Sequence, residues 1–451
     1  MNPHVFREYD IRGKAERDLT DEFALALGKA IGTYHKRHGA KSTSLGRDVR
    51  LSGPRLRDRL VEGITSTGVN VVDIGVVTTP LLYFSLFHLD VGGGVMITGS
   101  HNPADENGFK VGLGQTTIHG EEIQKLRQLI ESEDYETGQG SVSEADVVPA
   151  YLDRIAGDID LGGKKIKVVL DAGNGTAGPV AGPLFERLGC EVVPLFFEPD
   201  GNFPNHHPDP TVPKNLEPLI ARVAETGATV GIGFDGDSDR IGVVDDQGNI
   251  IWGDKLMIIF ARSILEEVPG ATFVSEVKCS KTMYEDIEQH GGKAIMWKTG
   301  HSLIKAKMKQ EGAELAGEMS GHIFFGHRYY GFDDAIYSGA RLVEILARTG
   351  KTPSELLADV PQTFYTPEIR TDCPDELKFP VVERLKKRMK DEGYDVIDVD
   401  GARVKFPDGW GLVRASNTGP VLVLRFEADS EARLNEIRAL IEGELEKAKQ
   451  A

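Results

Sequence analysis

The chain has 451 residues, a formal net charge of −18, 40% hydrophobic and 27% charged residues, and only three cysteines. That length exceeds what one hydrophobic core serves, so three or four domains are expected. The acidic balance argues against nucleic acid or an anionic membrane surface as the main partner, although local Arg and Lys clusters still decide the field around an anionic substrate. Cys190, Cys279 and Cys373 show no paired spacing, which fits a reducing compartment and supplies no disulfide or metal motif. The opening residues lack the apolar run of a signal peptide, and no apolar stretch is long enough to span a bilayer. A cytoplasmic location is the expectation.

The same pattern of elements recurs three times. The first copy predicts strand Ser42–Leu45, helix Pro54–Thr67, strand Val69–Ile74, helix Pro80–His88 and strand Gly94–Ile97. The second predicts strand Ile166–Leu170, helix Ala177–Leu188, strand Glu191–Leu195, helix Leu216–Thr226 and strand Ala228–Phe234. The third predicts strand Thr272–Ser275, helix Ser280–His290, strand Lys293–Trp297, helix Ser302–Gln310 and strand Ala313–Leu315. Short apolar strands alternating with amphipathic helices read as βαβαβ units and α/β architecture. From about Phe364 the pattern changes to strand, helix Val381–Glu392, strands near Gly401–Phe406 and Gly411–Arg414, strand Val421–Phe426 and helix Ser430–Glu446, which is α+β. The expected domains are 1–147, 148–249, 250–362 and 363–451.

Each copy follows its third strand with a polar, Gly-containing loop. These are Thr98-Gly99-Ser100-His101-Asn102-Pro103, Asp235-Gly236-Asp237-Ser238-Asp239-Arg240 and Gly317-Glu318-Met319-Ser320-Gly321-His322. Open α/β sheets bind ligands at the carboxyl ends of parallel strands. The three loops are therefore expected to converge on one central cleft.

The second loop carries the clearest chemistry. Three carboxylates at alternate positions repel one another unless a cation joins them, and all-oxygen ligation with room for water and a phosphate oxygen is how Mg²⁺ is usually held. A solvated acidic turn is the rival. An EF-hand is not favoured, because Arg240 and Asp246 stand where Gly and Glu are needed. Arg240 beside a cation suggests that an anion also enters. Ser100 has no Gly-x-Ser-x-Gly elbow around it, so an acyl-transfer hydrolase is not favoured. Near a cation it could instead carry a phosphoryl group whose oxygen completes the metal shell. Lys110, in Asn107-Gly108-Phe109-Lys110, is either a surface charge or a general acid/base whose pKa burial and nearby cations lower. Arg12 could assist, or simply pair with Asp10. Glu318 and Ser320 suit vicinal sugar hydroxyls, or form a plain turn. His301 and His322 could be structural histidines, and Lys278 an ordinary surface charge. Arg414, Ser416, Asn417 and Thr418, before Gly419-Pro420, could wrap a phosphate dianion.

Four motifs in this order, one per domain, resemble the α-D-phosphohexomutase family across essentially the whole chain. Phe6–Gly13, Met319 and Gly99 are most similar to the phosphomannomutase/phosphoglucomutase branch. The phosphoglucosamine mutase branch has Gln in place of Met319 and Ala in place of Gly99. Ser238 stands where many members have Gly, and Gly419 where several have Glu. The resemblance implies that Ser100 is the phosphorylated serine and that Asp235, Asp237 and Asp239 bind Mg²⁺ together with the phosphoryl group on Ser100. It implies that Lys110 and Arg240 assist at the reacting phosphoryl group, Lys110 as general acid/base. It further implies that Arg12, His101, Lys278 and His301 shape the reaction site, and that Tyr9 and His322 contact substrate. Glu318 and Ser320 would hold O3 and O4 of the sugar, and Arg414, Ser416, Asn417 and Thr418 the non-reacting phosphate. The implied reaction moves a phosphoryl group between C1 and C6 of mannose or glucose phosphates through a hexose 1,6-bisphosphate. A monomer acting on hexose phosphates, with no nucleic acid or membrane partner, is the expectation. The alternatives are a phosphoglucosamine mutase, a metal-dependent phosphatase and a non-catalytic metal-binding module.

Overall fold

Residues 2–417 and 419–450 are described in the computed structural model of the chain. The chain forms two units, Met1–Leu256 with Ser320–Leu356, and Met257–Met319 with Leu357–Ala451.

The first unit contains two sheets whose central strands are apolar because they are covered on both faces. In the first sheet the order is Ile11–Lys14, Glu106–Leu113, Gly93–Ile97, Ser42–Arg47, Asn70–Val76 and Val142–Glu144. Ser42–Arg47 runs parallel to both its neighbours, whereas Glu106–Leu113 pairs antiparallel with Gly93–Ile97 and Ile11–Lys14. The second sheet has the order Ile250–Ile251, Ile241–Val244, Val230–Phe234, Lys167–Asp171 and Glu191–Leu195. Its last three strands are parallel and Ile241–Val244 is antiparallel. In both sheets the chain leaves a fully buried strand, makes the polar loop and returns antiparallel beside it. That return anchors both ends of each loop.

In the second unit, Lys293–Trp297, Thr272–Glu276 and Leu315–Gly317 pair parallel. The C-terminal sheet is antiparallel in the order Phe364–Tyr365, Val421–Ala428, Gly409–Ala415, Ala402–Phe406 and Asp395–Ile397, with Ile369–Asp372 also on Val421–Ala428. Helices Asp375–Asp391 and Glu431–Gln450 bury Leu385, Met389, Ile437 and Ile441 in the same cluster as Val413, Leu424 and Phe426. Mixed α/β sheets and an α+β C-terminal region are thus what the chain builds. Among the described residues no helix is long and apolar enough to cross a membrane.

The structure departs from the sequence reading in several places, helices Glu121–Ser132, Val148–Ala156, Gly253–Glu267 and Ala335–Thr349 being unassigned there. Helix Asp21–Arg37 was not foreseen, although Thr20 caps it on Phe23 N–H and its apolar positions have helical spacing. Residues Asn107–Lys110, which were assigned to no element, form part of strand Glu106–Leu113. The helix expected from Val381 begins at Asp375 and carries Pro380 inside it. The helix expected at Pro80–His88 is not amphipathic, because Thr79 through Leu86 are buried on every side. It packs on strands Ser42–Arg47 and Gly93–Ile97 and on helix Val148–Ala156, and Phe84 and Phe87 meet Tyr151, Tyr330 and Phe332.

His35, on the unforeseen helix, is fully buried with Nε2 donating to the Gly112 carbonyl at 2.9 Å. Burial pulls its pKa from 6.5 to about 4. A depressed folded-state value gives stability that is present above the unfolded pKa and lost as pH falls through the folded one, here about 3 kcal/mol. Urea melts should show the native protein losing stability between pH 6.5 and 4, with a shallower slope for His35→Gln. Equal slopes would reject this account.

Candidate active site

The serine loop leaves strand Gly93–Ile97 at Thr98. Ser100 takes φ +48°, a left-handed conformation that costs a non-glycine residue about 1–2 kcal/mol. Its N–H donates to Thr98 Oγ at 2.8 Å, and its Oγ–H donates to Asp235 Oδ2 at 2.8 Å. His101 Nδ1 lies 3.0 Å from Ser100 Oγ. With the seryl proton committed to Asp235, His101 Nδ1–H is the donor in that contact. Burial, then Arg240 and Arg12, hold the His101 ring neutral by lowering its pKa well below 6.5.

The strained turn is held from below by two residues that no motif announced. Arg50 is buried, and its guanidinium donates to the backbone carbonyls of Ser100 (3.0 Å), Asn102 (2.6 Å), Pro103 (2.5 Å) and Glu106 (2.8 Å). Asp48 accepts from Arg50 Nε at 3.2 Å, Thr98 Oγ at 2.8 Å and Gly99 N at 3.2 Å. A Cβ on Gly99 would stand 2.5 Å from Arg50 Cζ, so glycine is what lets the guanidinium lie flat under the loop. His207 adds a bond from Nε2 to the His101 carbonyl at 2.5 Å.

The acidic loop joins Val230–Phe234 to Ile241–Val244. Asp235, Asp237 and Asp239 are fully buried, and one oxygen of each lies within 4.8 Å of the others. Gly236 brings the two loops together, since a Cβ there would meet the Ser100 carbonyl at 2.5 Å. Ser238 takes φ +65°, which explains why glycine suits that position; its hydroxyl meets Thr176 Oγ at 3.2 Å. Burial, then Asp239 and Asp237, push the Asp235 pKa well up. Oδ1 of Asp237 and of Asp239 are buried and accept no hydrogen bond among the described residues. Three crowded carboxylates, two of them keeping an oxygen that accepts no hydrogen bond among the described residues, form a donor set that fits a hard divalent cation.

Lys110 projects from strand Glu106–Leu113 to Asp237 Oδ2 at 2.8 Å and to Asp239 Oδ2. Burial favours its neutral form, but Asp237 and Asp239 outweigh that and raise its pKa well above 10.5. The expected lowering of this lysine is therefore reversed, because its close neighbours are anions rather than cations. Thr79 Oγ–H also donates to Asp237 Oδ2, at 2.6 Å.

Arg12 makes the anticipated pair with Asp10, Nε to Oδ1 at 2.8 Å, and also reaches Asn102 Oδ1 of the serine loop at 3.4 Å. Tyr9 is buried beside them in sequence. Arg240 binds back to its own loop, N–H to Asp235 Oδ1 at 3.0 Å, and donates Nε–H to His322 Nε2 at 3.0 Å. His322 Nδ1 faces Asp333 Oδ2 at 3.0 Å and Asp239 Oδ1 at 3.7 Å. Accepting at Nε2 places the His322 proton on Nδ1, toward Asp333. Ser320 opens the segment that carries His322.

The second unit holds the remaining candidates. Glu318 is buried and accepts the Gly300 N–H at 2.6 Å, next to buried His301. Lys278, in the turn between strand Thr272–Glu276 and helix Lys281–Gln289, pairs with Glu368 Oε2 at 3.1 Å. Arg414 ends strand Gly409–Ala415 in a pair with Asp400 Oδ2 at 2.9 Å, and that oxygen also accepts the Thr299 N–H at 3.0 Å. Ser416 is buried, Asn417 is half-buried, and Thr418 lies outside the described residues.

Asp48, Arg50 and Asp333 were missed because each is a single charged residue with no local pattern. The one available signal was Asp-x-Arg directly after an apolar strand, too common to weigh. Arg50→Met leaves Asp48 buried and uncompensated. It should destabilise the fold by about 3–5 kcal/mol in denaturant melts and speed amide exchange across the 99–103 loop. Exchange at the native rate would show that Arg50 does not hold the turn.

Four domain models of the phosphoglucomutase/phosphomannomutase family match the chain in order. Domain I matches residues 3–137, domain II 149–248, domain III 252–364 and the C-terminal domain 368–444. The phosphomannomutase/phosphoglucomutase of Pseudomonas putida is 51% identical over 441 residues, 98% of this chain and 95% of that protein. The phosphoglucomutase of Neisseria gonorrhoeae is 48% identical over 446 residues, 97% of this chain and 96% of that protein. The crystal structure of a phosphoglucomutase/phosphomannomutase family protein from Burkholderia thailandensis superposes with a TM-score of 0.94 at 46% identity, covering 100% of this chain and 98% of that one. With the serine and acidic loops joined by one hydrogen bond and all four domains matched, the chain belongs to the phosphoglucomutase/phosphomannomutase family.

Proposed function

We propose that this protein is a phosphomannomutase/phosphoglucomutase that moves a phosphoryl group between C1 and C6 of hexose phosphates. The observation that carries the reading is the 2.8 Å bond from Ser100 Oγ to Asp235, one of three clustered buried carboxylates. It sets a nucleophilic oxygen against a divalent-cation donor set. Relatives at about half identity bear that enzyme name or phosphoglucomutase alone.

In this scheme phosphorylated Ser100 gives its phosphoryl group to the free hydroxyl of a hexose monophosphate. The P–O bond to Ser100 breaks as the bond to the sugar oxygen forms. The resulting 1,6-bisphosphate turns end for end and returns its other phosphoryl group to Ser100. Asp235, Asp237 and Asp239 would hold a Mg²⁺ ion, which when bound would supply charge neutralisation for the transferred group. Lys110, paired with Asp237 and Asp239, would serve as general acid/base, giving its proton to the seryl oxygen as that oxygen leaves and taking up the proton of the sugar hydroxyl. Arg12 and Arg240 add positive charge beside the loop, and His322, fixed by Asp333, orients Arg240. Glu318 and Ser320 would grip O3 and O4, Lys278, His301 and Tyr9 would contact the substrate, and Arg414, Ser416, Asn417 and Thr418 would hold the phosphate that is not reacting. A grip on O3 and O4 tolerates either configuration at C2, so glucose and mannose phosphates are both accepted.

Intact-mass measurement should show one phosphoryl group on the native protein after treatment with glucose 1,6-bisphosphate, and none on Ser100→Ala. The same variant should lose about 10³-fold or more in kcat, the scale for removing a covalent nucleophile. Chelation by EDTA should abolish turnover and Mg²⁺ restore it. Arg414→Ala should raise KM more than it lowers kcat. Net release of inorganic phosphate without isomerisation would instead make the protein a phosphatase.

A further inference from the structure

Strand Thr272–Glu276 ends on a carboxylate to which the scheme above gives no role. Glu276 is fully buried, a costly place for a charge unless each oxygen finds a partner. Its Oε1 accepts the Met319 backbone N–H at 3.1 Å and lies 3.5 Å from Lys278 Nζ. Its Oε2 accepts the Thr299 hydroxyl at 2.5 Å. Met319 stands between Glu318 and Ser320. Thr299 opens the turn to Gly300, whose N–H goes to Glu318 Oε1 at 2.6 Å, and to His301. One side chain therefore touches three segments distant from one another in sequence, and each carries a residue assigned to the substrate.

The site is electrostatically expensive. Desolvation raises the Glu276 pKa and nearby Glu318 raises it further, while Lys278 opposes both. Lys278 in turn is shared with Glu368. A neutral side chain could fill the same volume without those costs, so the charge is explained by the segments it holds together.

We propose that Glu276 is a positioning residue for hexose-phosphate binding, its two oxygens setting the spacing between the Lys278 ammonium, the Thr299–His301 turn and the Glu318–Met319 backbone. The inference rests on the mutase reading above. It assigns Glu276 to ground-state grip rather than to phosphoryl transfer, because Ser100 and the acidic loop are fixed by other residues.

Glu276→Gln keeps the shape and an acceptor for Met319 N–H but removes the charge facing Lys278. Thr299→Val removes the bond to Oε2. Steady-state kinetics with glucose 1-phosphate should show KM raised about tenfold in E276Q, the scale of one charge-assisted hydrogen bond. It should rise less in T299V, with kcat within about threefold of native in both. Calorimetric titration of glucose 1-phosphate should show the same loss in affinity, and thermal melts should match the native protein. Native KM in both variants, or a loss confined to kcat, overturns the proposal. Should E276Q fail to fold, T299V decides alone. Native protein that binds hexose phosphate but does not isomerise it would reject the mutase reading while leaving the affinity comparison decisive for Glu276. Native protein that binds no hexose phosphate would reject both.

Discussion

Buried negative charge is the constraint on which the first unit depends. Asp235, Asp237 and Asp239 sit together without solvent, where like charges interact far more strongly than in water. Several neighbours of the acidic loop answer that charge. Lys110 lies between two of the carboxylates, Thr79 donates to one of them, Ser100 donates to Asp235, and the Arg240 backbone closes the loop on Asp235. The serine gains its place in this arrangement from the same interaction, since its hydroxyl is one of the donors.

Rigidity beneath the loops follows from a second buried charge. Arg50 satisfies carbonyls along the serine turn, and Asp48 orients it from the other side. A left-handed serine persists only where surrounding bonds over-determine it. Two glycines complete the fit, Gly99 over the guanidinium and Gly236 against the Ser100 carbonyl. A similar economy recurs in the second unit, where Glu276 links segments that carry Lys278, His301 and Glu318.

Much of the fold was legible because periodicity is local. Glu191–Leu195 and Lys293–Trp297 were read to the residue, and the other repeat strands within a few residues of their ends. Misreadings came where neighbours override local pattern. Thr79–His88 is wrapped on all sides, so it lacks the polar face its period would otherwise display. Asn107–Lys110 was assigned to no element, yet antiparallel partners on both sides make it strand. The candidate residues were legible where they cluster in Gly-bounded loops. Asp48, Arg50, Asp333 and Glu276 were not, because their importance lies in partners far away along the chain.

The order of the four motifs and the alternation of strands and helices were determined by the sequence itself, since both depend on residues close together along the backbone. Protonation, and pairing between residues far apart along the chain, were decided only in three dimensions. Lys110 became a firmly held cation, His101 a neutral ring and Asp235 a reluctant acid because electrostatic energy depends on distance through space. Spacing along a chain does not encode which distant charges will meet inside it.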